Sequence, residues 1–156
     1  MAIISLFSGS YCHAEAVASG VTRELGYQSI TEALFKTTAA RFDVPADTLR
    51  KALTGKSSLL DKFTNNRDKH VACLRLALAE LIQADDCLIE GRVGLLIPRT
   101  IAHALRVCVI ANFDYRVAQA AAESGTAEKE AVRLVKENDE HNFACTDYLF
   151  GKAAYD

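Results

Sequence analysis

The sequence predicts an α/β fold: a parallel central sheet with helices on both faces. Three observations lead there. Short, almost wholly apolar runs recur at Ile3–Phe7, Cys87–Ile89 and Leu105–Ala111. Stretches of helical periodicity separate them, so each strand reaches the next by a crossover rather than a hairpin. A polar loop follows each run, at 8–13, 90–94 and 112–116. Parallel sheets of this kind bind ligands outside their strand C-termini, which makes these three loops the default site.

The elements follow in order. After the first strand, Ser8-Gly9-Ser10 is a turn signal. From Glu15 onward Val17, Val21 and Leu25 share one helical face, and Gly26 stops the helix. Tyr27–Ile30 reads as a short second strand or a crossing loop. Thr31 is the expected N-cap of a helix to about Phe42, with Glu32 in its first turn. Asp43–Asp47 breaks the pattern, Asp47 caps a short helix closed by Gly55, and Ser57–Phe63 adds an amphipathic turn or two. Asp68–Ala84 is the clearest helix, with Val71, Leu74, Leu78 and Leu81 on one face. Residues 95–104 are mixed. Helices are predicted again over Tyr115–Glu123 and from Thr126 to about Phe150, where Gly151 ends the chain's last one.

The 156 residues suffice for one domain with a real core. Two prolines, eight glycines and no internal repeat argue against linkers and arrays. A formal net charge of −2 gives no global attraction to nucleic acid. The N-terminal apolar run is too short for a signal peptide and lacks a basic flank, and no apolar run is long enough to span a bilayer. The expected location is the cytoplasm, with neither a nucleic-acid nor a membrane partner. Cys12, Cys73, Cys87, Cys108 and Cys145 are odd in number, without a CxxC pair, and mostly embedded in apolar runs. They read as buried free thiols in a reducing compartment, not as a structural zinc site.

The first stretch carries the chemistry. A strand, a glycine turn and a helix present free N–H groups and the positive end of a helix dipole. Gly9 and Ser10 are the candidate anion cradle, the bland alternative being a tight strand–helix turn, and Tyr11, Cys12 and His13 complete the candidate binding loop. Arg92 follows the middle strand and is a bidentate phosphate donor or a partner of Glu90 or Asp86. Cys12 beside His13 at a helix N-terminus suits a reactive thiolate. With His141 and Cys145, one turn apart on a helix, they have metal-ligand chemistry. Two polar loop residues and two ordinary helix residues are the preferred reading, and no metal is expected. Lys129, Glu130, Arg133, Lys136 and Glu137 read as a solvated helix face with i, i+4 pairs.

Taken together, Ile4-Ser5 through Ala18 with Glu24-Leu25-Gly26, then Leu88–Arg92, then Arg106–Ala111 with Asp114-Tyr115-Arg116, carry a resemblance. Glu130-Ala131, Asn138-Asp139-Glu140 and Tyr148–Gly151 complete it. In order and spacing the chain resembles the cytidylate kinase-like family, relatives of the P-loop nucleoside monophosphate kinases, over nearly its whole length. The resemblance implies a P-loop-kinase-like three-layer fold with a helical insertion at about 30–84 and a lid-like region at about 114–143. It implies phosphoryl transfer from ATP to CMP or a related nucleotide, with Mg²⁺ and arginines stabilising charge. Arg116 and Arg133 are the lid candidates for catalysis, Arg92 the candidate for the monophosphate, and 9–13 the phosphate loop. For Arg116 a helix-start salt bridge with Asp114 or Glu123 is the favoured alternative. Relatives usually continue into another strand beyond Tyr155-Asp156, so a chain truncated at its C-terminus, or a domain cut from a longer protein, is expected.

The chain departs from the G-x-x-x-x-G-K-[ST] pattern where the chemistry is most demanding. Gly9 fits the first glycine, but Ala14 stands at the second, Glu15 at the lysine and Ala16 at the Mg²⁺-holding hydroxyl. The lid positions that carry arginines in the family hold Asn142 and Phe143. Three readings result: a catalytically degenerate domain with at most weak nucleotide or phosphate binding and a regulatory role; an active nucleoside monophosphate kinase; and a protein-interaction or oligomerisation module, a homodimer among its possible forms.

Overall fold

The computed structural model describes residues 2–54 and 66–151. Ile3–Ser8 (β1), Gln28–Ser29 (β2), Cys87–Glu90 (β3) and Ala104–Val109 (β4) form one all-parallel sheet in the order β2-β3-β1-β4. The described helices are Ala14–Leu25 (α1), Thr31–Phe42 (α2), Ala46–Ala52 (α3), Asn66–Leu81 (α4), Phe113–Ser124 (α5) and Glu128–Phe150 (α6). Tight 3₁₀ turns occupy Ile82–Ala84 and Arg92–Leu96.

Strand alternation divides the core in two. Ile3, Cys87, Ile89 and Ala104 point to one face and pack with Leu34 and Phe35 of α2, Leu49 of α3 and Leu74 and Leu78 of α4. Each fully buried leucine there contributes about 1.5–3 kcal/mol of burial free energy. Ile4, Leu6 and Leu88 point to the other face, against Ala18 and Val21 of α1. Val117 and Ala120 of α5 meet Ala131 and Val135 of α6 in a third, separate cluster that Tyr11 also touches.

This topology positions the site. β1 leads through α1 on one face towards β2; β3 leads through Val93, Leu96 and Ile97 on the opposite face towards β4. Connections that leave adjacent strands in opposite directions open a crevice between their C-terminal ends, here between β1 and β3.

Several boundaries differ from expectation for local reasons. Ile30, not Thr31, is the N-cap of α2. The Thr31 hydroxyl instead accepts from the Glu90 N–H at 2.8 Å, tying α2 to the end of β3. Helix α3 starts at Ala46 behind Pro45, so Asp47 lies in its first turn and complements the dipole rather than capping. The third apolar run forms β4, the edge strand of the sheet among the described residues, and Leu105 within it and Ile110 just beyond it are 57% and 69% exposed. Cys108 is therefore exposed and Cys73 half-buried, a correction to the expectation of buried thiols, whereas Cys12, Cys87 and Cys145 are buried. The predicted stop at Gly55 and the turns over 57–63 lie outside the described residues. Among the described residues no helix is long and apolar enough to cross a membrane.

The region between β2 and β3 is tied to α6 by one side-chain cluster. Arg67 donates to the carbonyls of Ala52 and Thr54 at 2.8 and 3.1 Å and lies over the Tyr148 ring, 3.5 Å from its centroid. The Tyr148 hydroxyl donates to Asp68. Burial first, then this bond and the negative charge of Asp68, push the phenol up to about 12. The folded protein thus holds the proton more tightly than the unfolded chain. The resulting stabilisation is fully present below pH 10 and is lost as pH rises from about 10 to 12. Denaturation midpoints are expected to fall across that window in the parent and to fall less in Tyr148→Phe.

Candidate functional site

A cavity of about 370 Å³ opens at the β1/β3 crevice. Residues 7–15 form one wall; Gly91 and Arg92, from the end of β3, and Glu123, Asn138 and Asn142, from α5 and α6, form the rest.

The 9–13 loop is held by both backbone and side chains. The Gly9 N–H donates to the Val109 carbonyl at 3.0 Å, continuing the β1–β4 ladder by one residue. A Cβ on Gly9 would lie 3.2 Å from the Cys12 sulfur and 3.6 Å from the Arg116 Cζ, so only glycine fits without displacement. Tyr11 and His13 adopt left-handed backbone conformations, with φ of 59° and 54°. That geometry costs about 1–2 kcal/mol per non-glycine residue and persists only where contacts enforce it. Here the His13 Nε2 lies 3.0 Å from the Gln119 Oε1, and its ring meets Tyr115 edge-on. His13 is the N-cap of α1, without a side-chain cap bond. Among the described residues, no N–H from Ser10 to Glu15 donates to a backbone carbonyl; Ala16 is the first to do so, bonding to His13. These groups sit at the positive end of α1, an arrangement suited to an anion.

Arg116 lies beneath the loop, 8% exposed. Its Nε donates to the Ser10 carbonyl at 2.9 Å and one terminal nitrogen to the Ser10 hydroxyl at 3.0 Å. Its two terminal nitrogens form a fork with Asp139, at 2.5 and 3.1 Å. The expected salt-bridge partners, Asp114 and Glu123, are replaced by Asp139 from α6. The guanidinium does not line the cavity; it fastens the loop to the α5–α6 hairpin.

Arg92 does line the cavity. Its Nε donates to the Asn142 Oδ1 at 3.0 Å, not to Glu90 or Asp86. Glu90 instead accepts from the Ser29 hydroxyl at 2.6 Å. Arg133 is elsewhere: its side chain is 61% exposed and is engaged by Glu130 at 2.6 Å and Glu137 at 3.1 Å along its own helix. It is a member of the solvated face and does not reach the cavity.

Among the described residues, no three His, Cys, Asp or Glu side chains gather as a metal site. The Cys145 thiol is fully buried, and burial pushes its pKa up against the opposing pull of Arg92 and Arg67. The Cys12 sulfur lies 3.5 Å from the Ser10 carbonyl, while the His13 ring is turned to Gln119.

Sequence reasoning did not single out Glu123, Asn138 or Asn142 as site residues. Glu123 closes α5, and its place in the cavity depends on how the hairpin folds. Asn138 and Asn142 are spaced i, i+4 on α6, so both face the cavity. That spacing was the available signal.

The fold and the cleft define a parallel α/β protein with its candidate site at the topological switch of the sheet. The chain belongs to the cytidylate kinase-like family, whose model matches residues 3–156. Among solved structures it is similar over its whole length to a protein from Eubacterium ventriosum ATCC 27560 described as uncharacterized. The TM-score is 0.68 at 13% identity, with 82% of that chain covered. At that identity the likeness carries the fold alone. No curated protein matches the chain.

Proposed function

We propose that this cytidylate-kinase-like domain has lost phosphoryl transfer and holds a nucleotide or phosphate group weakly, in a regulatory role. One observation carries the reading. The cavity wall has Glu15 where the family's phosphate loop has its lysine, and no lysine lines the cavity among the described residues. A second carboxylate, Glu123, faces the same space. Magnesium triphosphate does not fit this donor set: Ala14 and Ala16 offer no side-chain oxygen, and a carboxylate stands where charge must be neutralised. The loop N–H groups and Arg92 still suit a single anionic group.

Calorimetric titration tests the proposal. Weak binding of CMP or inorganic phosphate, with no ADP formed from Mg-ATP and CMP, is the expected result. Micromolar binding of both nucleotides with ADP produced would sink it and favour an active kinase with an unusual loop.

A second reading, an oligomerisation module, has in its favour the outer edge of β4, unpaired among the described residues, with Leu105 exposed on it and Ile110 just beyond it. No nucleotide or phosphate binding together with a stable dimer in solution would favour it.

A further inference from the structure

We infer that Asn142 is a positioning residue: its side-chain amide bridges Arg92 and the Ser8 carbonyl, presetting the arginine and the loop as one subsite for a single phosphate group. This rests on the reading of the cavity as a phosphate site.

Asn142 is 5% exposed, buried where β1 and β3 diverge. Its Oδ1 accepts from the Arg92 Nε at 3.0 Å, and its Nδ2 donates to the Ser8 carbonyl at 3.4 Å. One side chain on α6 thus links the residue that ends β1 to the arginine just beyond β3. The contact at Nε fixes the plane of the guanidinium. Among the described residues, the two terminal nitrogens of Arg92 have no hydrogen-bond or ion-pair partner, and the side chain lines the cavity. A guanidinium held at Nε with both terminal nitrogens open is the fork that receives two oxygens of one phosphate. Holding the arginine before binding removes part of the ordering cost.

The charge of the cavity sets the ligand class. Arg92 is the single arginine or lysine lining it among the described residues, and Glu15 and Glu123 oppose it. One phosphate group can take the fork and the loop N–H groups; further phosphates would meet the carboxylates. The ligand is therefore a phosphomonoester or inorganic phosphate rather than a triphosphate.

The test uses the whole chain and two readouts. In the unliganded protein, the Nε–H signal of Arg92 in nitrogen–proton correlation spectra is expected to exchange slowly with solvent, and to lose that protection in Asn142→Ala. In titrations with inorganic phosphate and with CMP, Asn142→Ala is expected to weaken binding about tenfold. In the Arg92→Lys background, which has no Nε, the same substitution is expected to change binding less than about twofold. A merely structural asparagine would lower the melting temperature alike in both backgrounds and leave the cycle without coupling. If Asn142→Ala does not fold, Asn142→Ser, too short to span both partners, is read in its place. Parent-like phosphate binding in the variant, or an Arg92 Nε–H that exchanges as fast as an exposed arginine, overturns the inference. If the parent binds neither probe, the phosphate reading and its subsite fall. A protected Nε–H lost in Asn142→Ala then still establishes the positioning contact.

Discussion

Arg116→Ala is expected to destabilise the protein by about 3 kcal/mol, because it removes one partner of a largely buried ion pair. The Arg116 side chain is 10% exposed and that of Asp139 20%. Truncation leaves the carboxylate without its fork and strips both the carbonyl and the hydroxyl of Ser10 of a donor. The space beneath Gly9 empties at the same time, since the guanidinium lies 3.6–3.7 Å from where a Gly9 Cβ would be. The 9–13 loop keeps two left-handed residues in place, and losing this staple removes one of the contacts enforcing them. Urea denaturation followed by circular dichroism measures the effect. Arg133→Ala is the control: among the described residues its exposed guanidinium pairs along its own helix alone, and the midpoint is expected to stay put. Equal midpoints for the two variants would remove the staple from the account. The partly exposed Asp139 makes Arg116→Met the informative companion, because it refills the space and isolates the electrostatic loss.

The same arginine shows what the sequence held and what it did not. The strand, turn and helix over residues 3–25 were legible because their signals are local: an apolar run, a glycine turn and a glycine stop. The predicted face was not the buried one: Val21 packs on the sheet beside Ala18, while Val17 and Leu25 are 41% and 56% exposed. The partners of Arg116 were not. Asp139 and Ser10 lie 23 and 106 residues away, whereas Asp114 and Glu123 are close in sequence. Proximity along the chain favoured the wrong carboxylates; the packing of Val117 and Ala120 against Ala131 and Val135 selected the right one. The run at 105–111 read correctly as an apolar strand, but apolar side chains do not give its exposure: burial depends on neighbours, and β4 pairs only with β1 in the described sheet. Asn142 was noted only as a lid position without its arginine, and its part in the site was missed for a different reason. A neutral amide leaves no charge pattern, and its role depends on two loops that meet only when the sheet forms.

Glu15→Lys combined with Ala14→Gly is expected to raise the affinity for Mg-ATP at least tenfold, about 1.4 kcal/mol. At an effective dielectric near 20, a unit charge about 4 Å from a phosphate charge contributes about 4 kcal/mol, repulsive for the glutamate and attractive for the lysine. Glu15 is exposed, so solvent and salt reduce that swing to a fraction, and the expected gain is set accordingly. The glycine serves the backbone. Ala14 is the first residue of α1 and lines the cavity, where its methyl limits how closely a phosphate can approach the N–H groups. The charge change also predicts the salt dependence: the gain shrinks as ionic strength rises, and Glu15→Gln recovers only the relief of repulsion. Inorganic phosphate separates the effects, since a single phosphate group offers the lysine fewer charged oxygens than a triphosphate chain does. Its affinity is expected to rise less than that of Mg-ATP. If the double variant binds Mg-ATP no better than the parent, Glu15 does not stand at the lysine position, and the correspondence between residues 9–16 and a phosphate loop is wrong.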